Sequence, residues 1–571
     1  MSAISRRRDI LAGLACAVLV LGAILMARPF AEMGFIDDWA YVKVAEVFAH
    51  TGHVVYNGWE TAMLGWLIPW GALFVRAFGD SFTAVRMSTL PLAFASVALF
   101  HASLRRFGAW PRNAVIGTLT LGLSPLFVPM APTFMTDVPG LFCILVCIYL
   151  CQRAVQAGTD TGAVLWLVTA TATNLAGGTV RQIVWLGALV MVPASAWLLR
   201  RRRYVPLVAV FCWGFSVCFV LWCIHWFERQ PYALPERIYQ GPASGHMLAH
   251  GATELLKSLL CLALMMMPLL IGWATYVMRL RRRALVVIAA ILLLLGIAAF
   301  IFARHGALDQ RVMPWIGHIV GTQSIFRSTG EMLGERPVTL DLPARTAISF
   351  VVIALLLLFV AFLFKTKHTG SNLRHGAAFW LLAPFTAAYV AFLIPRAIYS
   401  FVYDRYLLGV MPAAIVWLVL LYQNRIAARL PARCVVVLVC FALYTIGATH
   451  DWFALNRARI SAVSEVEARG VPATSIQGGF DYDGWTEIQA VGYINDARLR
   501  RPAGAFHPYN DPMPSPCRLN FASFTPAIHP EFFVVFHPMP CLQPSGLPPV
   551  SYKSWLPPFE REIFIQKRPA R

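Results

Sequence analysis

Two adjacent carboxylates, Asp37 and Asp38, stand in the stretch Phe35-Ile36-Asp37-Asp38-Trp39-Ala40-Tyr41, just after the first long apolar segment. A second acidic motif, Thr136-Asp137-Val138-Pro139-Gly140, sits in a comparable setting further on. Acids at such positions can cap the helix that follows them. They can equally serve as a general base with a supporting carboxylate, or hold a hard divalent cation. Taken singly each acid is ambiguous, and only the pairing of two motifs on one face favours chemistry over capping.

Arginines are the second reactive class. Arg86 and Arg181 flank apolar segments at the same expected face, Arg396 and Arg405 bracket a short loop there, and Arg304 and Arg311 follow another segment. For any one of them an anchor to lipid headgroups is the more ordinary role. Arg181 follows Gly177-Gly178, where backbone can approach a ligand closely. His246 and His250 share a helical face, yet no third ligand at matching spacing completes a metal site, so they are set aside.

The elements that must position these residues are membrane helices. A chain of 571 residues that is 58% hydrophobic and 13% charged is too apolar for a soluble enzyme. Apolar segments of about 20 residues recur as far as His450: Ile10 to Ala27, Ala84 to Leu104, Asn113 to Met130, Val138 to Arg153, Gly162 to Gly177, Ile183 to Leu199, Val205 to Phe227, Leu255 to Met278, Ala284 to Ala303, Ala347 to Phe364, Ala377 to Pro395, Tyr406 to Tyr422 and Cys434 to Thr449. The expected fold is therefore an all-α polytopic membrane domain of about thirteen spans. The stretch 61–78 could be a further span, but Gly58, Gly65, Pro69 and Gly71, together with its parity, favour an interfacial helix.

A net charge of +20 would suit nucleic acid, but its distribution does not. The basic residues gather in short clusters between apolar runs: Arg6 to Arg8, Arg105-Arg106-Arg112, Arg200 to Arg203, Arg279 and Arg281 to Arg283, Lys365-Lys367-Arg374, and Arg425-Arg429-Arg433. This is the positive-inside pattern. It implies a cytoplasmic N-terminus with a retained anchor, and it puts Asp37, Asp38, Asp137 and the tail after Asp451 on the opposite side. Residues 1–450 are expected to form the membrane domain, with a first outer loop at 28–83 carrying the chemistry. Residues 451–571 are expected to form a small extracytoplasmic α/β domain, with a helix at Trp452 to Arg469 and strands at Ser475 to Phe480, Glu531 to His537 and Arg561 to Gln566. Cys517 and Cys541 are alone in that tail, where the compartment permits a disulfide.

The order of motifs resembles one superfamily. An acidic pair after the first span, then Phe78-Gly79-Asp80-Ser81-Phe82 with Arg86, then Ser124-Pro125 leading to Thr136-Asp137-Val138-Pro139, is similar to the dolichyl-phosphate-mannose protein mannosyltransferases and lipid A aminoarabinose transferases. These are C-type glycosyltransferases that use a polyprenyl-phosphate-linked sugar. Tyr403-Asp404-Arg405-Tyr406-Leu407-Leu408 with Pro412 is similar to the family's arginine-tyrosine motif, and Gly478-Gly479-Phe480-Asp481-Tyr482-Asp483-Gly484-Trp485 to part of its extracytoplasmic domain.

The resemblance implies a glycosyltransferase of the plasma (inner) membrane that moves a single sugar, with inversion, to a glycolipid, polysaccharide or protein acceptor. It makes Asp37 the base and Asp137 the second-loop acid. Asp38 stands where the family has glutamate, one methylene shorter. Arg405, Arg181, Arg396 and Arg86 are the expected ligands of the donor phosphate, and Glu60 and Tyr406 are expected near the substrate. The resemblance leaves metal dependence open, and a divalent cation at Asp37 and Asp137 is compatible with the residue types. Two other classes stay open: a ligase or polymerase using a lipid-linked oligosaccharide, and a transporter. A transporter should carry ionisable residues mid-helix, whereas here nearly all acids fall at span ends or in loops.

Overall fold

The structure is a computed structural model that describes residues 3–237, 240–326, 332–365, 373–511 and 513–569. Lys367, from one of the basic clusters, lies outside the described residues. Among the described residues, ten helices are long and apolar enough to cross a membrane. At about 1.5 Å per residue, a helix needs roughly 20 residues to do so. Three of the thirteen expected segments, those at 113–130, 183–199 and 406–422, are broken by local chemistry and fall short of that length as single helices.

The Asn113 to Met130 segment divides between a helix at Pro111–Gly122 and a single turn at Phe127–Met130. Pro125 has no amide to continue the ladder, and Ser124 Oγ accepts the Phe127 N–H at the restart. The expected Leu255 to Met278 span is replaced by Gly245–Met265, capped by Ser244, with a break before Pro268. Ile183 to Leu199 is a succession of 3-10, π and α turns, and the helix expected from Tyr406 starts at Met411, after a 3-10 turn at Asp404–Gly409. Leu67–Phe78 has 12 residues, too few to cross.

The last long helix, Ala432–Glu467, runs without interruption through position 450 into the C-terminal part. That part contains a small mixed sheet. Ile476–Gln477 pairs parallel to Phe532–Val535, which pairs antiparallel to Glu560–Lys567; Gln543–Pro544 and Val550–Lys553 also pair with Glu560–Lys567. The strand expected at Ser475 to Phe480 is cut short, because Phe480 already begins the helix Phe480–Val491 after the positive-φ Gly479. Cys517 and Cys541 are disulfide-bonded, with Cα atoms 6.2 Å apart.

The helix Phe480–Val491 packs on the helix Asp38–Thr51. Trp39 is the joint: its ring lies edge-on to Phe480 at 5.7 Å, and a Cβ on Gly484 would fall 2.7 Å from its Cη2. Only glycine admits that approach, so the C-terminal motif sits directly on the double-acid stretch.

Candidate active site

The turn into the double-acid stretch is strained. Ile36 has φ +58°, a left-handed conformation that is costly for a β-branched residue. It is held by the Trp39 indole donating to the Ile36 carbonyl at 2.8 Å and by the Phe35 N–H donating to Asp38 Oδ1 at 2.7 Å. The consequence is that neighbouring carboxylates point to different surroundings.

Asp38 is fully buried and saturated. Arg86 donates to it through Nε at 2.7 Å and Nη2 at 3.0 Å, and the Phe134 N–H adds a contact at 3.3 Å. The rest of the Arg86 guanidinium serves the Ala31 and Met33 carbonyls and packs 3.7 Å above the Phe35 ring. Arg86 thus faces Asp38 and backbone, with its side chain sealed from solvent.

Asp37 faces the other way. It occupies the cap position of the helix Asp38–Thr51, but its side chain makes no cap hydrogen bond. Its Oδ1 accepts the Trp59 indole N–H at 2.9 Å, and its Oδ2 accepts from Arg405 Nη2 at 3.3 Å. Arg405 Nη1 in turn lies 3.9 Å from Asp137 Oδ2, and Arg181 Nη1 lies 2.7 Å from Asp137 Oδ1. Residues from four separate parts of the chain therefore form one row: Asp37, Arg405, Asp137, Arg181.

The row is under-bonded. Neither Asp137 oxygen accepts an aligned hydrogen bond despite the short Arg181 contact, and Arg405 Nε and Nη1 donate to no acceptor within the protein. Buried polar groups without partners are uncommon in native folds and mark sites kept open for a ligand. Tyr406 collects the same cations: the guanidiniums of Arg181, Arg396 and Arg405 lie 5.5, 4.8 and 5.8 Å from its ring centroid. Arg396 also holds Glu236 through Nη1, at 2.8 and 2.7 Å.

The expected divalent cation does not fit between Asp37 and Asp137 as they stand, because the Arg405 guanidinium occupies that place. Among the described residues no group of three His, Cys, Asp or Glu side chains gathers to hold a metal ion. Glu60 lies behind the site, fully buried, with Oε2 accepting the Asn57 N–H at 2.9 Å. Burial pushes its carboxyl up to about 8.

Three contributors were not anticipated from sequence. Trp59 holds Asp37 and joins an aromatic cluster with Trp39, Phe480 and Phe524. Asp404 is buried and accepts the N–H groups of Ile319, Val320 and Arg405, which fixes the backbone that presents Arg405. His318 packs 4.4 Å from the Tyr403 ring, and burial beside Arg405 holds it well below the ordinary histidine range, so it is neutral. A tryptophan immediately after Asn57-Gly58 carried no usable signal; the acid preceding Arg405 did, as part of the Tyr403-Asp404-Arg405-Tyr406 motif.

No family model matches the chain, and comparison with curated proteins gives no match. Solved structures do match. The chain is similar to the protein O-mannosyltransferase Pmt1-Pmt2 complex of S. cerevisiae bound to the sugar donor, at 14% identity over 38% of this chain and 32% of that one, with a TM-score of 0.29. It is similar to ArnT from Cupriavidus metallidurans bound to undecaprenyl phosphate, at 12% identity over 82% of this chain and 73% of that one, with a TM-score of 0.40. It is also similar to the oligosaccharyltransferase AglB from Archaeoglobus fulgidus in complex with an inhibitory peptide and a dolichol-phosphate, at 14% identity over 93% and 65% of the two chains, with a TM-score of 0.40. The match spans about a third of the mannosyltransferase chain and just under two thirds of the AglB chain. These are C-type glycosyltransferases, the class that the motif order resembles. At these TM-scores the likeness is one of general architecture.

Proposed function

We propose that this chain is an integral membrane glycosyltransferase that moves a single sugar from a polyprenyl-phosphate-linked donor to an extracytoplasmic acceptor. The observation that carries the reading is the row Asp37–Arg405–Asp137–Arg181, in which a partly exposed carboxylate stands beside cations that retain unused donors.

Asp37 takes the proton of the acceptor hydroxyl. The acceptor oxygen bonds to the anomeric carbon as the bond from that carbon to the phosphate oxygen breaks, so the configuration inverts in one displacement. The departing polyprenyl phosphate gains a negative charge, and Arg405, Arg181 and Arg396 around Tyr406 neutralise it, which is stabilisation at the atoms where charge develops. Asp137 holds Arg405 and Arg181 in place. Asp38 and Arg86 position the loop and do not touch substrate, which replaces the phosphate role expected for Arg86. Glu60 supports the loop from behind.

The same reading makes residues 1–450 the membrane domain with its catalytic loop at 28–83, and residues 451–571 an extracytoplasmic cover. It puts the N-terminus in the cytoplasm of a cell whose plasma (inner) membrane holds the protein. The acceptor is a glycolipid, polysaccharide or protein. The test is release of polyprenyl phosphate from a labelled polyprenyl-phosphate monosaccharide in membranes carrying the protein. Wild-type protein releases it and Asp37→Asn does not; full release by Asp37→Asn would end the proposal.

A further inference from the structure

The helix Asp137–Val155 carries a second concentration of charge at its other end. At about 1.5 Å per residue, Arg153 lies roughly 24 Å from Asp137 along the axis, so it belongs to the opposite end of the bundle. There the helices packed on it, Leu90–Arg106 and Asp160–Val180, border a cavity of about 480 Å³ lined by Arg106, Arg153, Gln156, Thr159 and Trp166.

The bonding in this cavity is unusual for two cations. Arg106 donates to Gln156 Oε1 at 2.8 Å, and both Arg106 and Arg153 reach the Tyr149 hydroxyl oxygen, each at 3.4 Å. The Arg106 guanidinium lies 4.9 Å from the Tyr149 ring centroid and that of Arg153 lies 4.3 Å from Trp166. Neither forms an ion pair with a carboxylate among the described residues: Asp160, at the start of the helix Asp160–Val180, pairs with Arg202, and Asp9 pairs with Arg105. Two like charges converge on one neutral oxygen, with no carboxylate paired to either among the described residues. Ordinary headgroup anchors splay outward separately along the interface; these two are turned toward one concavity, whose rim also includes the backbone of Gly158 and Gly162.

We propose that this cavity binds a phosphate group, with Arg106 and Arg153 as its two forks. Guanidinium is the side chain that meets phosphate oxygens bidentately. The space exceeds what a bare phosphate fills and admits the headgroup around it. The ligand chemistry is therefore a phosphate ester, supplied either by an anionic lipid of the adjoining leaflet or by a soluble phosphate compound. The inference is independent of the reaction assigned to the opposite face.

The test uses the full chain in two arms. In the first, wild-type protein and Arg106→Gln/Arg153→Gln are equilibrated in nanodiscs containing phosphatidylglycerol and phosphatidylcholine, extracted into detergent, and the retained lipids counted by native mass spectrometry. Retention of phosphatidylglycerol by wild type, falling roughly ten- to a hundredfold in the double variant, is the expected lipid result. In the second, delipidated protein is melted with and without millimolar inorganic phosphate; a rise in Tm with wild type but not with the double variant assigns a soluble phosphate ester. Arg200→Gln, at the same end but outside the cavity, controls for general positive charge. Arg106→Lys/Arg153→Lys replaces the glutamine pair if the latter does not fold, and is expected to weaken retention while keeping charge. Equal retention by all variants with no phosphate effect on Tm overturns the proposal, as does an equal loss with Arg200→Gln.

Discussion

Asp37 and Asp38 are neighbours in sequence and opposites in surroundings. Asp38 is sealed in and takes two contacts from Arg86 and two from backbone amides, so every lone pair has a purpose inside the protein. Asp37 keeps 22% of its side chain exposed and shares a single long contact with an arginine that also serves Asp137. A saturated carboxylate is a structural fixture, and one left short of partners is available to a substrate. The difference is made by one strained turn at Ile36, not by the identity of either residue.

The comparison predicts a crossing of phenotypes, and this is the largest effect expected. Asp37→Asn should lower transfer by about 10²–10⁴-fold while leaving Tm in detergent near wild type. Asp38→Asn and Arg86→Ala should each cost stability first, about 3–5 kcal/mol, because removing one partner strands a buried charge. Purification yield, Tm and transfer rate measured on the three proteins decide it. If Asp37→Asn loses folding and Asp38→Asn loses only rate, the roles are reversed.

How much of this was readable from the chain follows from distance. The apolar segments, the C-terminal sheet unit and the acidic motifs depend on local pattern, and were legible as such. Partnerships were not. Arg405 lies 368 residues from Asp37 and Arg86 lies 48 from Asp38, and no spacing rule distinguishes the arginine that meets a substrate from the one that clamps a loop. Arg86 looked like a phosphate ligand because it breaks the positive-inside trend, yet a buried carboxylate explains it as well. The breaks at Pro125 and Pro268 carried a signal that hydropathy averaged away. Trp59 had none, since its function depends on folding back across the loop to a residue 22 positions earlier.

Arg405→Lys sharpens the comparison at the shared cation. A lysine keeps the charge, but its compact ammonium cannot reach Asp37, Asp137 and a phosphate together as a fork does. Transfer should fall by roughly 10–100-fold, corresponding to one or two charge-assisted hydrogen bonds, with the loss in kcat exceeding any change in KM. Wild-type kinetics in Arg405→Lys would mean that only charge is needed and that the row geometry is incidental.

Glu60 tests the loop without touching the chemistry. Its carboxyl is pushed from 4.5 to about 8 in the folded protein by burial, so between those values the unfolded chain has lost a proton that the folded chain retains. Stability is then full at acidic pH and declines as pH rises through that window, with a slope of at most one proton. Glu60→Gln, which mimics the neutral acid, should flatten this part of the curve. Unfolding of both proteins from about pH 5 to pH 8 gives the answer; parallel curves would show that Glu60 is not the titrating group.

Trp59→Phe is the mildest perturbation of the Asp37 side of the pair. It retains an aromatic ring against Trp39, Phe480 and Phe524 and removes only the indole N–H that reaches Asp37 Oδ1. One neutral donor to a charged acceptor contributes about 1.5 kcal/mol, so a loss of roughly tenfold in kcat is the upper expectation. The loss should fall in kcat while Tm in detergent stays near wild type. A purely structural tryptophan would lower Tm and rate together, and this separates an indole that positions the base from one that only fills space.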